Sequence, residues 1–592
     1  MVFSLPVLRI ANCSGFYGDR LSAAQEMVSG GPIDVLTGDY LAELTMAILW
    51  RSRSRDPDAG YATTFFTQME EVLGTCLDRG IKIISNAGGL NPRGLVNRLE
   101  KLAEDLSLAP RIAIVEGDDL MPRLEGLIDE GHKFPHFDRG IPLREAGVTP
   151  LTANAYLGGW GITEALRRGA DVVICGRITD AALVVGPCAW HFDWRRDDWD
   201  ALAGAVVAGH ILECGPQATG GNFSFFQELG GLDSPGFPLA EVERDGSAVI
   251  TKHPGSGGRV TVETVTAQLL YEIGSPRYLN PDVTAHFETI RLSEGGEDRV
   301  RVSGTKGSAP PPDLKVALNY LGGYRNSMTF GISGLDVEEK AQLLESALWK
   351  AVGGRNQFET AEAQLIKSGR PDPQTIDDSM SYLRLTVKDP DPQKAGRGFS
   401  RAAVELALAN YPGLFLTTPP GDASPYAIYW PTTIPAELVP ISVVVDGSAS
   451  LVTSVAPPGP KAAPLPSMTF ASGTHSETER RPLGILAGAR SGDKGGTANL
   501  GVWVRHAEAY PWLASFLTVD RLRQLLPEAG SLSITRFELP NLVALNFVIE
   551  GFLGEGVSSS TRTDPQAKSL GEFIRARMVD IPRDLLTKID DR

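Results

Sequence analysis

Short apolar runs rich in Ile and Val alternate with longer amphipathic stretches between residue 6 and about residue 230. Five such runs each end near Gly, Asn or an acidic residue: VLRIAN (7–12), IDVLTG (33–38), IKIISN (81–86), RIAIVEG (111–117) and DVVICG (171–176). Intervening stretches such as TTFFTQMEEVLGTCLDRG and RGLVNRLEKLAEDL have helical patterns. Strands that alternate with helices of this length predict βαβ units and a parallel sheet buried on both faces.

The loops that follow these strands are polar and rich in glycine. Right-handed crossovers place the carboxyl ends of parallel strands at one edge of the sheet, so these loops converge there. An open α/β sheet binds its ligand at that edge. The residues that we expect to face a shared cleft are Ser14, Gly15, Tyr17, Asp39, Asn86, Gly88, Gly89, Glu116 and Asp118.

Residues 153–186 carry the densest set of candidate site residues, beginning with Asn154. A glycine-rich turn precedes the helical segment ITEALRR, and the buried strand DVVIC follows it. Arg177, Thr179 and Asp180 come directly after that strand. A cation, a hydroxyl and a carboxylate predict a site for a small anionic molecule, with Arg177 clamping a carboxylate or phosphate. The alternatives are a structural ion pair for Arg177 and a helix cap for Asp180.

The pattern changes after residue 235. Strand pairs such as AEVER/AVITKH and HFETIRLS/DRVRVSG predict hairpins among helices over residues 236–455, an α+β region packed on the first domain. Residues 456–482 are rich in Pro, Ser and Thr, which predicts a linker. Residues 483–592 carry four strand patterns and two helical patterns, which fit a ferredoxin-like sandwich. The predicted fold class is therefore α/β for residues 1–235, with an α+β extension and a small C-terminal ferredoxin-like α+β sandwich.

The composition disfavours several classes of protein. Asp and Glu number 72 against 56 Lys and Arg, a net charge of −16, so a basic face for nucleic acid is not expected. Five cysteines without a CxxC pair fit a reducing compartment, and the first residues lack the pattern of a signal peptide. No apolar run reaches the roughly 18 residues of a membrane span, so we expect a cytoplasmic protein with no membrane partner.

The VEGDDL segment offers three carboxylates at the end of one strand. Glu116, Asp118 or Asp119 would act as general acid or base or contact a ligand, and capping of the following helix is the plain alternative. A divalent metal needs more converging ligands, and no HxxxH, HExxH or His/Cys spacing occurs, so no metal site is predicted.

Two cysteines have settings that raise the question of a nucleophile. His210 and Cys214 stand four residues apart in a helical segment, and a histidine beside a cysteine raises its thiolate fraction. The negative end of that helix disfavours a thiolate, so a buried thiol and a hydrogen-bonded histidine are the favoured interpretation. Cys13 follows the first strand, and a nucleophilic role is again the less favoured interpretation.

Three later loops contribute further candidates. Asn222 follows a Gly-Gly pair, and Arg259 follows a glycine-rich turn ahead of a helix, a setting suited to a coenzyme A phosphate or simply an ordinary loop. Arg490, Asp493 and Lys494 lie between two strands of the C-terminal module. That turn would complete the cleft or contact another subunit, with Lys494 as a phosphate contact or an acid–base group. No GxGxxG or Walker pattern occurs, which disfavours a dinucleotide cofactor.

Several long motifs carry a family resemblance. ANCSGFYGDR, IISNAGGLNP, TANAYLGGWGITEALRRGADVVICGR and GHILECGPQATGGNF resemble the acyclic terpene utilisation protein A family, and LAGARSGDKGGTANLGVWVR resembles its accompanying ferredoxin-fold domain. The resemblance covers nearly the whole chain. It implies a context in bacterial breakdown of geraniol- and citronellol-type compounds through coenzyme A thioesters, with relatives outside that pathway.

These residues predict an enzyme of carboxylic-acid or acyl-CoA catabolism that works by acid–base chemistry, as a hydratase, lyase or thioester hydrolase. Glu116 or Asp118 would be the base, and Arg177 would anchor the substrate. Asn86 and the Gly88-Gly89 backbone would stabilise an oxyanion. No cofactor is firmly implied, the partner is a small carboxylate or an acyl-CoA thioester, and a homo-oligomer is the base-rate expectation. The alternative is a non-catalytic accessory subunit that holds an acyl-CoA and docks a pathway enzyme through the ferredoxin-like module.

Overall fold

A computed structural model describes residues 7–460, 462–465 and 477–590. Part of the predicted linker at 456–482 falls outside these residues, and its last part is strand. The chain forms two compact units. The first contains the described residues up to Asn319, those between Tyr429 and Val557, and those from Gln566 on, and the second contains Tyr320–Ile428 and Ser558–Pro565. No helix in the described ranges is both long enough and apolar enough to cross a membrane.

The five predicted strands form a parallel array at the centre of the first unit. The first six strands are β1 (Leu8–Asn12), β2 (Val35–Gly38), β3 (Lys82–Ser85), β4 (Ile112–Glu116), β5 (Pro150–Ala155) and β6 (Val172–Cys175). All but β5 are parallel neighbours in the order β1-β2-β3-β6-β4, with Ile10 opposite Val35 and Ile84 opposite Val173. Residues on both strand faces are buried, as the Ile- and Val-rich runs predict.

Helices cover both faces of this array. They are α1 (Ala23–Gly30), α2 (Glu43–Arg53), α3 (Thr63–Arg79), α4 (Pro92–Asp105), α5 (Leu124–Asp129), α6 (Leu143–Ala146), α7 (Trp160–Arg167), α8 (Ala182–His191) and α9 (Trp199–Leu212). Apolar residues of α1, α3 and α4 share one core with alternate strand residues such as Leu36 and Ile83. Helices α7 and α8 contact the strands as well, and α9 packs along α8.

Antiparallel strands extend both edges of the same sheet. The elements from 236 to 312 are β7 (Pro238–Val242), β8 (Ala248–Lys252), α10 (Val262–Leu269), β9 (Arg277–Leu279), β10 (Thr284–His286), β11 (Arg291–Glu294), β12 (Arg299–Ser303) and β13 (Lys306–Ser308). The predicted hairpins are confirmed as β7–β8 and β11–β12. Because these four strands continue the sheet beyond β1, the structure does not divide at residue 236 as the sequence predicted.

The second unit has its own sheet and core. The elements that build it, two of which continue into the first unit, are β14 (Asp313–Ser333), α11 (Val337–Ala351), β15 (Thr360–Ile366), β16 (Met380–Asp389), α12 (Phe399–Glu405), β17 (Phe415–Leu416) and β18 (Ser424–Pro435). Phe330, Leu344 and Phe399 are buried in its core. The loop Ser558–Pro565 belongs to this unit, where Lys388 Nζ donates to the Ser559 carbonyl at 3.1 Å.

The chain then returns to the first unit. Strands β19 (Ile441–Val445) and β20 (Ser448–Val452) extend the large sheet beyond β4. The C-terminal module follows as β21 (Thr478–Pro482), β22 (Ala487–Lys494), β23 (Thr497–Val504), α13 (Tyr510–Phe516), α14 (Val519–Leu525), β24 (Ile534–Leu539), β25 (Ala544–Ile549), α15 (Leu570–Arg575), β26 (Met578–Pro582) and α16 (Arg583–Asp590). Its four-stranded antiparallel sheet has the order β22-β23-β25-β24, and all four strands were predicted.

The C-terminal module packs directly on the segment that follows α10. A Cβ atom at Gly501 of β23 would lie 2.5 Å from Leu270 Cβ, and one at Gly492 of β22 would lie 2.5 Å from the Tyr271 ring. The Ser224 hydroxyl also donates to the Ala489 carbonyl at 2.9 Å. One face of this sheet is therefore buried against the N-terminal part of the same unit.

Candidate active site

Arg177, the strongest sequence candidate, lies just beyond the end of β6 and is only 2% exposed. Its Nη1 donates to Asp180 Oδ1 at 3.0 Å and to the Leu41 carbonyl at 3.0 Å. Its guanidinium carbon lies 4.1 Å from the centre of the Tyr156 ring. Because so little of Arg177 is open to solvent, it orients Asp180 rather than clamping a free anion. The Asp180 side chain remains 32% exposed at the sheet edge.

Asn86 and Asp39 form a buried layer behind Arg177. Asn86 Nδ2 donates to Asp39 Oδ1 at 2.6 Å, and Asn86 Oδ1 accepts from the Tyr40 amide at 2.9 Å. Asn86 is fully buried, and the Gly89 amide donates back to the Asn86 carbonyl at 3.1 Å. Neither Asn86 nor the Gly89 amide can therefore act as the predicted oxyanion donor. Gly88 is buried against the Cys175 carbonyl, where a Cβ atom would come within 2.5 Å.

Asp118 is a buried structural carboxyl group. Its Oδ2 accepts from the Arg177 amide at 2.9 Å and from Asn154 Nδ2 at 2.8 Å. Burial raises the pKa of Asp118 to about 7, against the effect of these two hydrogen bonds. Asp118 and Asn154 are 4% and 1% exposed, so both hold the Arg177 loop from inside the protein.

Glu116 lies apart from these residues. It is the last residue of β4, opposite Ser442 of the antiparallel strand β19, and its Oε2 accepts from Arg93 Nη2 at 2.7 Å. The predicted base is therefore a half-exposed ion-pair partner outside the network around Arg177.

The remaining sequence candidates are dispersed. Ser14 is buried, and its hydroxyl donates to the Phe16 carbonyl at 3.0 Å. Gly15 packs on the Cys214 backbone. The Tyr17 and Thr63 hydroxyl groups are hydrogen-bonded at 3.1 Å. The Thr179 amide donates to the Leu157 carbonyl at 2.9 Å, and Asn222 and Arg259 are exposed. Arg259 precedes α10 and Lys494 contacts the segment after it, so about 12 Å of helix separates the predicted phosphate loop from Lys494.

An ion pair that the sequence analysis did not assign lies beside Tyr156. Lys315 Nζ of β14 donates to Glu43 Oε1 of α2 at 3.0 Å, and it lies 4.9 Å from the Tyr156 ring and 5.5 Å from the Tyr429 ring. Burial opposes a charge on Lys315, but nearby Tyr156 and Glu43 outweigh it and raise the pKa of Lys315. Burial alone would raise the pKa of Glu43, yet the Lys315 ammonium lowers it. Both groups are therefore charged at neutral pH.

Glu213, which directly precedes Cys214, is a buried acid. Its Oε1 lies 3.0 Å from His210 Nδ1 at the end of α9, and its side chain is 8% exposed. Burial raises the pKa of Glu213 well above its ordinary value, and Asp180 and Glu272 act in the same direction. Burial and Lys494 together lower the pKa of His210 to about 4. The pair is therefore a neutral carboxyl group beside a neutral imidazole.

Lys494 enters the same region from the C-terminal module. Its Nζ donates to the Glu272 carbonyl at 2.8 Å and lies 5.9 Å from the Tyr278 ring. Glu272 has a φ of 55°, in the left-handed region, and its amide donates to Asn499 Oδ1 of β23 at 2.8 Å. Asn499 in turn contacts Asn546, whose Nδ2 donates to the Gly274 carbonyl at 2.6 Å. The module thus holds the turn that presents Glu272.

We call Glu43, Asp180, Glu213, Glu272, Arg177, Lys315 and Lys494 the acid–base cluster. Arg177 and Lys315 both lie against the Tyr156 ring, at 4.1 and 4.9 Å from its centre, and a Cβ atom at Gly495, next to Lys494, would lie 4.0 Å from Glu43 Oε2. In agreement with this arrangement, Asp180, Glu272 and Lys494 all act on the pKa of Glu213. Lys315, Asp180 and Glu272 keep 32%, 32% and 35% of their side chains exposed, and Lys494 is exposed. Two cations and two carboxylates of the cluster are therefore open to solvent in part.

Arg490 and Asp493 lie next to this cluster on β22. Arg490 is 7% exposed, contacts Gln217, and stacks 4.4 Å from the Tyr271 ring centre. Burial and Glu272 raise the pKa of Asp493 to about 7, and its Oδ1 lies 3.7 Å from Lys568 Nζ. Both predicted residues therefore border the acid–base cluster without belonging to it.

Three members of the acid–base cluster, Lys315, Glu213 and Glu272, were not predicted from the sequence, because each has only a weak signal there. Lys315 is one lysine in the strand pattern LKVALNYL, where buried apolar residues surround it, and such a charge calls for a partner. Glu213 lies between His210 and Cys214, and the spacing of those two residues predicted a histidine–cysteine pair without assigning a role to the glutamate between them. Glu272 follows a helix and has no pattern of its own. Its left-handed conformation depends on contacts with β23.

Comparison with known proteins agrees with the motifs. Residues 8–445 match the family model described as "Acyclic terpene utilisation family protein AtuA", and residues 481–580 match the "AtuA ferredoxin-like domain". Neither the curated proteins nor the solved structures contain a match. Within the described ranges, no three or more His, Cys, Asp or Glu side chains are grouped so as to hold a metal ion.

Proposed function

The chain belongs to the AtuA family of acyclic terpene utilisation proteins, and on that premise we propose that it is an enzyme that moves a proton next to the carbonyl group of a branched acyl substrate. The reaction class is that of a lyase or hydratase acting on a carboxylic acid or its coenzyme A thioester. The observation that carries the proposal is the acid–base cluster, where the partly exposed Lys315 and Asp180 side chains accompany a buried carboxyl group, Glu213, whose pKa is raised.

Asp180 is the proposed base. Its carboxylate is 32% exposed, and its Oδ1 is held at 3.0 Å by Arg177 Nη1. Arg177 is itself fixed by the Leu41 carbonyl and the Tyr156 ring, so the carboxylate points in one direction. A base held in this way can take a proton from the carbon next to a carbonyl group without prior rearrangement.

Lys315 is the proposed site for the developing oxyanion. Removal of a proton beside a carbonyl group places negative charge on the carbonyl oxygen, and a fixed cation lowers the energy of that charge. Lys315 is kept charged by Glu43 at 3.0 Å and is 32% exposed. This role replaces the one predicted for Asn86 and the Gly88-Gly89 backbone, whose polar groups are buried or already paired.

Glu213 supplies the complementary acid. Burial, Asp180 and Glu272 raise its pKa, so it keeps its proton while Asp180 serves as base. Two carboxyl groups whose surroundings separate their protonation states divide the roles of acid and base. Protonation of a leaving hydroxyl group by Glu213 would complete a dehydration, and the reverse step would complete a hydration.

Two further observations favour proton transfer over the alternatives. Burial raises the pKa of all five cysteine thiols, which disfavours a thiol nucleophile for thioester hydrolysis. The sheet face of the C-terminal module that an accessory subunit would use for docking is packed on Leu270 and Tyr271 of the same chain.

Deuterium incorporation tests the proposal. The purified protein is incubated in D₂O with a panel of branched carboxylic acids and acyl-CoA thioesters, and exchange beside the carbonyl group is followed by mass spectrometry. The proposal expects exchange or net turnover with at least one compound, and a loss of about 100-fold or more in Asp180→Asn. Binding of an acyl-CoA without exchange or turnover would support the accessory-subunit alternative instead.

A further inference from the structure

Lys494 differs from the other two cations of the acid–base cluster. Arg177 has Asp180 at 3.0 Å, and Lys315 has Glu43 at 3.0 Å. Among the described residues, no carboxylate oxygen lies within 4.0 Å of Lys494 Nζ, whose nearest polar contact is the Glu272 carbonyl at 2.8 Å. The side chain is nevertheless exposed, so a ligand can reach the amine.

We propose that Lys494 is a nucleophilic amine that forms an imine with the ketone or aldehyde carbonyl group of a small oxo-acid substrate. This inference rests on the proposed function and narrows its substrate class. Because the protonated imine would take the electron pair in place of the carbonyl oxygen, Lys315 is left to attract a carboxylate of that substrate. Arg177 still orients Asp180, which remains the base.

The surroundings of Lys494 favour the uncharged amine. A Cβ atom at Gly495, the next residue, would lie 3.2 Å from the Tyr429 ring, which Lys315 Nζ approaches at 5.5 Å from its centre. Although part of the Lys494 side chain reaches solvent, the surrounding protein lowers its pKa and the Lys315 ammonium lowers it further, against the effects of Glu272, Glu43 and Glu213. Lys315 is held charged by its own ion pair, so it acts as a fixed cation. The Tyr278 ring, 5.9 Å from Lys494 Nζ, also lies 5.1 Å from the His210 ring of α9, and that histidine is neutral. A lysine that is desolvated next to a second cation is an established arrangement for an activated amine.

The proposed step balances without an added oxidant or reductant. The Lys494 nitrogen lone pair attacks the carbonyl carbon, and the C=O π electrons move to oxygen, which takes a proton to give a carbinolamine. A second proton, available from Glu213, lets that hydroxyl group leave as water, and a protonated imine forms. When Asp180 removes the neighbouring proton, the protonated imine accepts the electron pair and becomes an enamine. Return of a proton to that carbon regenerates the protonated imine. Water then hydrolyses it to the carbonyl compound and the free Lys494 amine, and the proton released in this step returns to Glu213.

Reductive trapping tests the imine in the full-length protein. Formaldehyde with cyanoborohydride probes the amine whatever the true substrate is, and 4-oxopentanoate with borohydride probes an oxo-acid. Peptide mapping at pH 7 should show Lys494 labelled about tenfold or more faster than the exposed Lys101, since each pKa unit changes the neutral fraction tenfold. Lys494→Arg should abolish trapping of 4-oxopentanoate, whereas the matched variant Lys568→Arg should retain it.

A second variant separates activation from mere accessibility. Lys315→Met removes the fixed cation, so the pH midpoint of Lys494 labelling should move upward. Labelling of Lys494 no faster than Lys101, or an unchanged midpoint in Lys315→Met, would overturn the inference. Deuterium exchange that persists in Lys494→Arg would also overturn it while leaving the proposed function intact. Trapping at Lys494 without exchange on any substrate would instead refute the proposed function.

Discussion

Neighbouring carboxyl groups in this protein differ in burial, and this difference separates structural from chemical roles. Asp118 is 4% exposed and accepts two N–H groups behind the Arg177 loop, whereas the Asp180 side chain is 32% exposed and faces outward from that loop. Both are aspartates next to a core strand, so the sequence alone could not divide structural from chemical roles between them. Solvent access, set by the tertiary packing, decides the difference.

The buried Asp118 predicts a specific loss of stability with pH. Burial raises its pKa from an ordinary 3.8 to about 7 in the folded protein, so the unfolded chain releases this proton first as pH rises. The free energy of unfolding should therefore fall between pH 4 and pH 7, by up to about 4 kcal/mol from this group. Asp118→Asn should remove this part of the pH dependence, measured by urea unfolding at several pH values.

Asp119→Asn is the control for that measurement. The Asp119 charge contributes to the raised pKa of Asp118, after burial as the main cause, so Asp119→Asn should reduce the pH dependence only in part, whereas Asp118→Asn should remove it. Equal pH dependence in the wild type and in Asp118→Asn would show that Asp118 is not protonated in the folded protein.

The left-handed backbone at Glu272 gives a second prediction. Glycine adopts a φ of 55° without the steric cost of a Cβ atom, so Glu272→Gly should be more stable than Glu272→Ala by about 1 kcal/mol. At Glu263, in the first turn of α10, the order should reverse because alanine favours a helix. Chemical unfolding of the four variants checks this, and the same order at both positions would contradict the assigned conformation.

Among the elements, β23 and β25 hold the turn that follows α10. Asn499 accepts from the Glu272 amide, and Asn546 donates to the carbonyls of Ile273 and Gly274 at 3.2 and 2.6 Å. All three backbone groups would otherwise be unpaired at a packed surface, where an unsatisfied polar group costs about 1–3 kcal/mol. These two asparagines couple the C-terminal sheet to the position of Glu272.

Asn499→Ala should loosen this turn selectively. The Glu272 amide loses its acceptor, so its hydrogen exchange should accelerate, and the unfolding free energy should fall by about 1–3 kcal/mol. Asn541→Ala is the matched control, because Asn541 belongs to the same module and donates to the Phe287 and Ile290 carbonyls instead. Exchange at Glu272 that is unchanged in Asn499→Ala, or equally faster in both variants, would argue against the coupling.

Local sequence patterns predict elements far better than they predict the site. The runs of β1, β2, β3, β4 and β6 are short, β-branched and bounded by polar loops, so each strand is visible within its own few residues. Lys315, Glu213 and Glu272 come together only through tertiary packing, so their positions along the chain do not predict that they act on one another. Arg177 and Asp180 were predicted because they directly follow a core strand, whereas Glu116 satisfies the same rule and pairs with Arg93 instead.

At the scale of the whole chain, the acid–base cluster draws on both regions that match the AtuA family. Six of its members lie within residues 8–445 and Lys494 lies within residues 481–580. The C-terminal module therefore contributes a side chain to the cluster and is part of the first compact unit. The central claim of the proposed function is that Asp180, as a member of this cluster, is the base that removes the substrate proton.

The most direct test compares deuterium exchange by Asp180→Asn and Glu116→Gln on the same branched acyl substrate. Glu116 ends one parallel strand of the sheet and Asp180 follows another, and both accept from an arginine, but only Asp180 belongs to the acid–base cluster. We expect Asp180→Asn to lose about 100-fold or more of the exchange rate and Glu116→Gln to remain within about twofold of the wild type. Full exchange in Asp180→Asn, or a comparable loss in Glu116→Gln, would contradict the assignment.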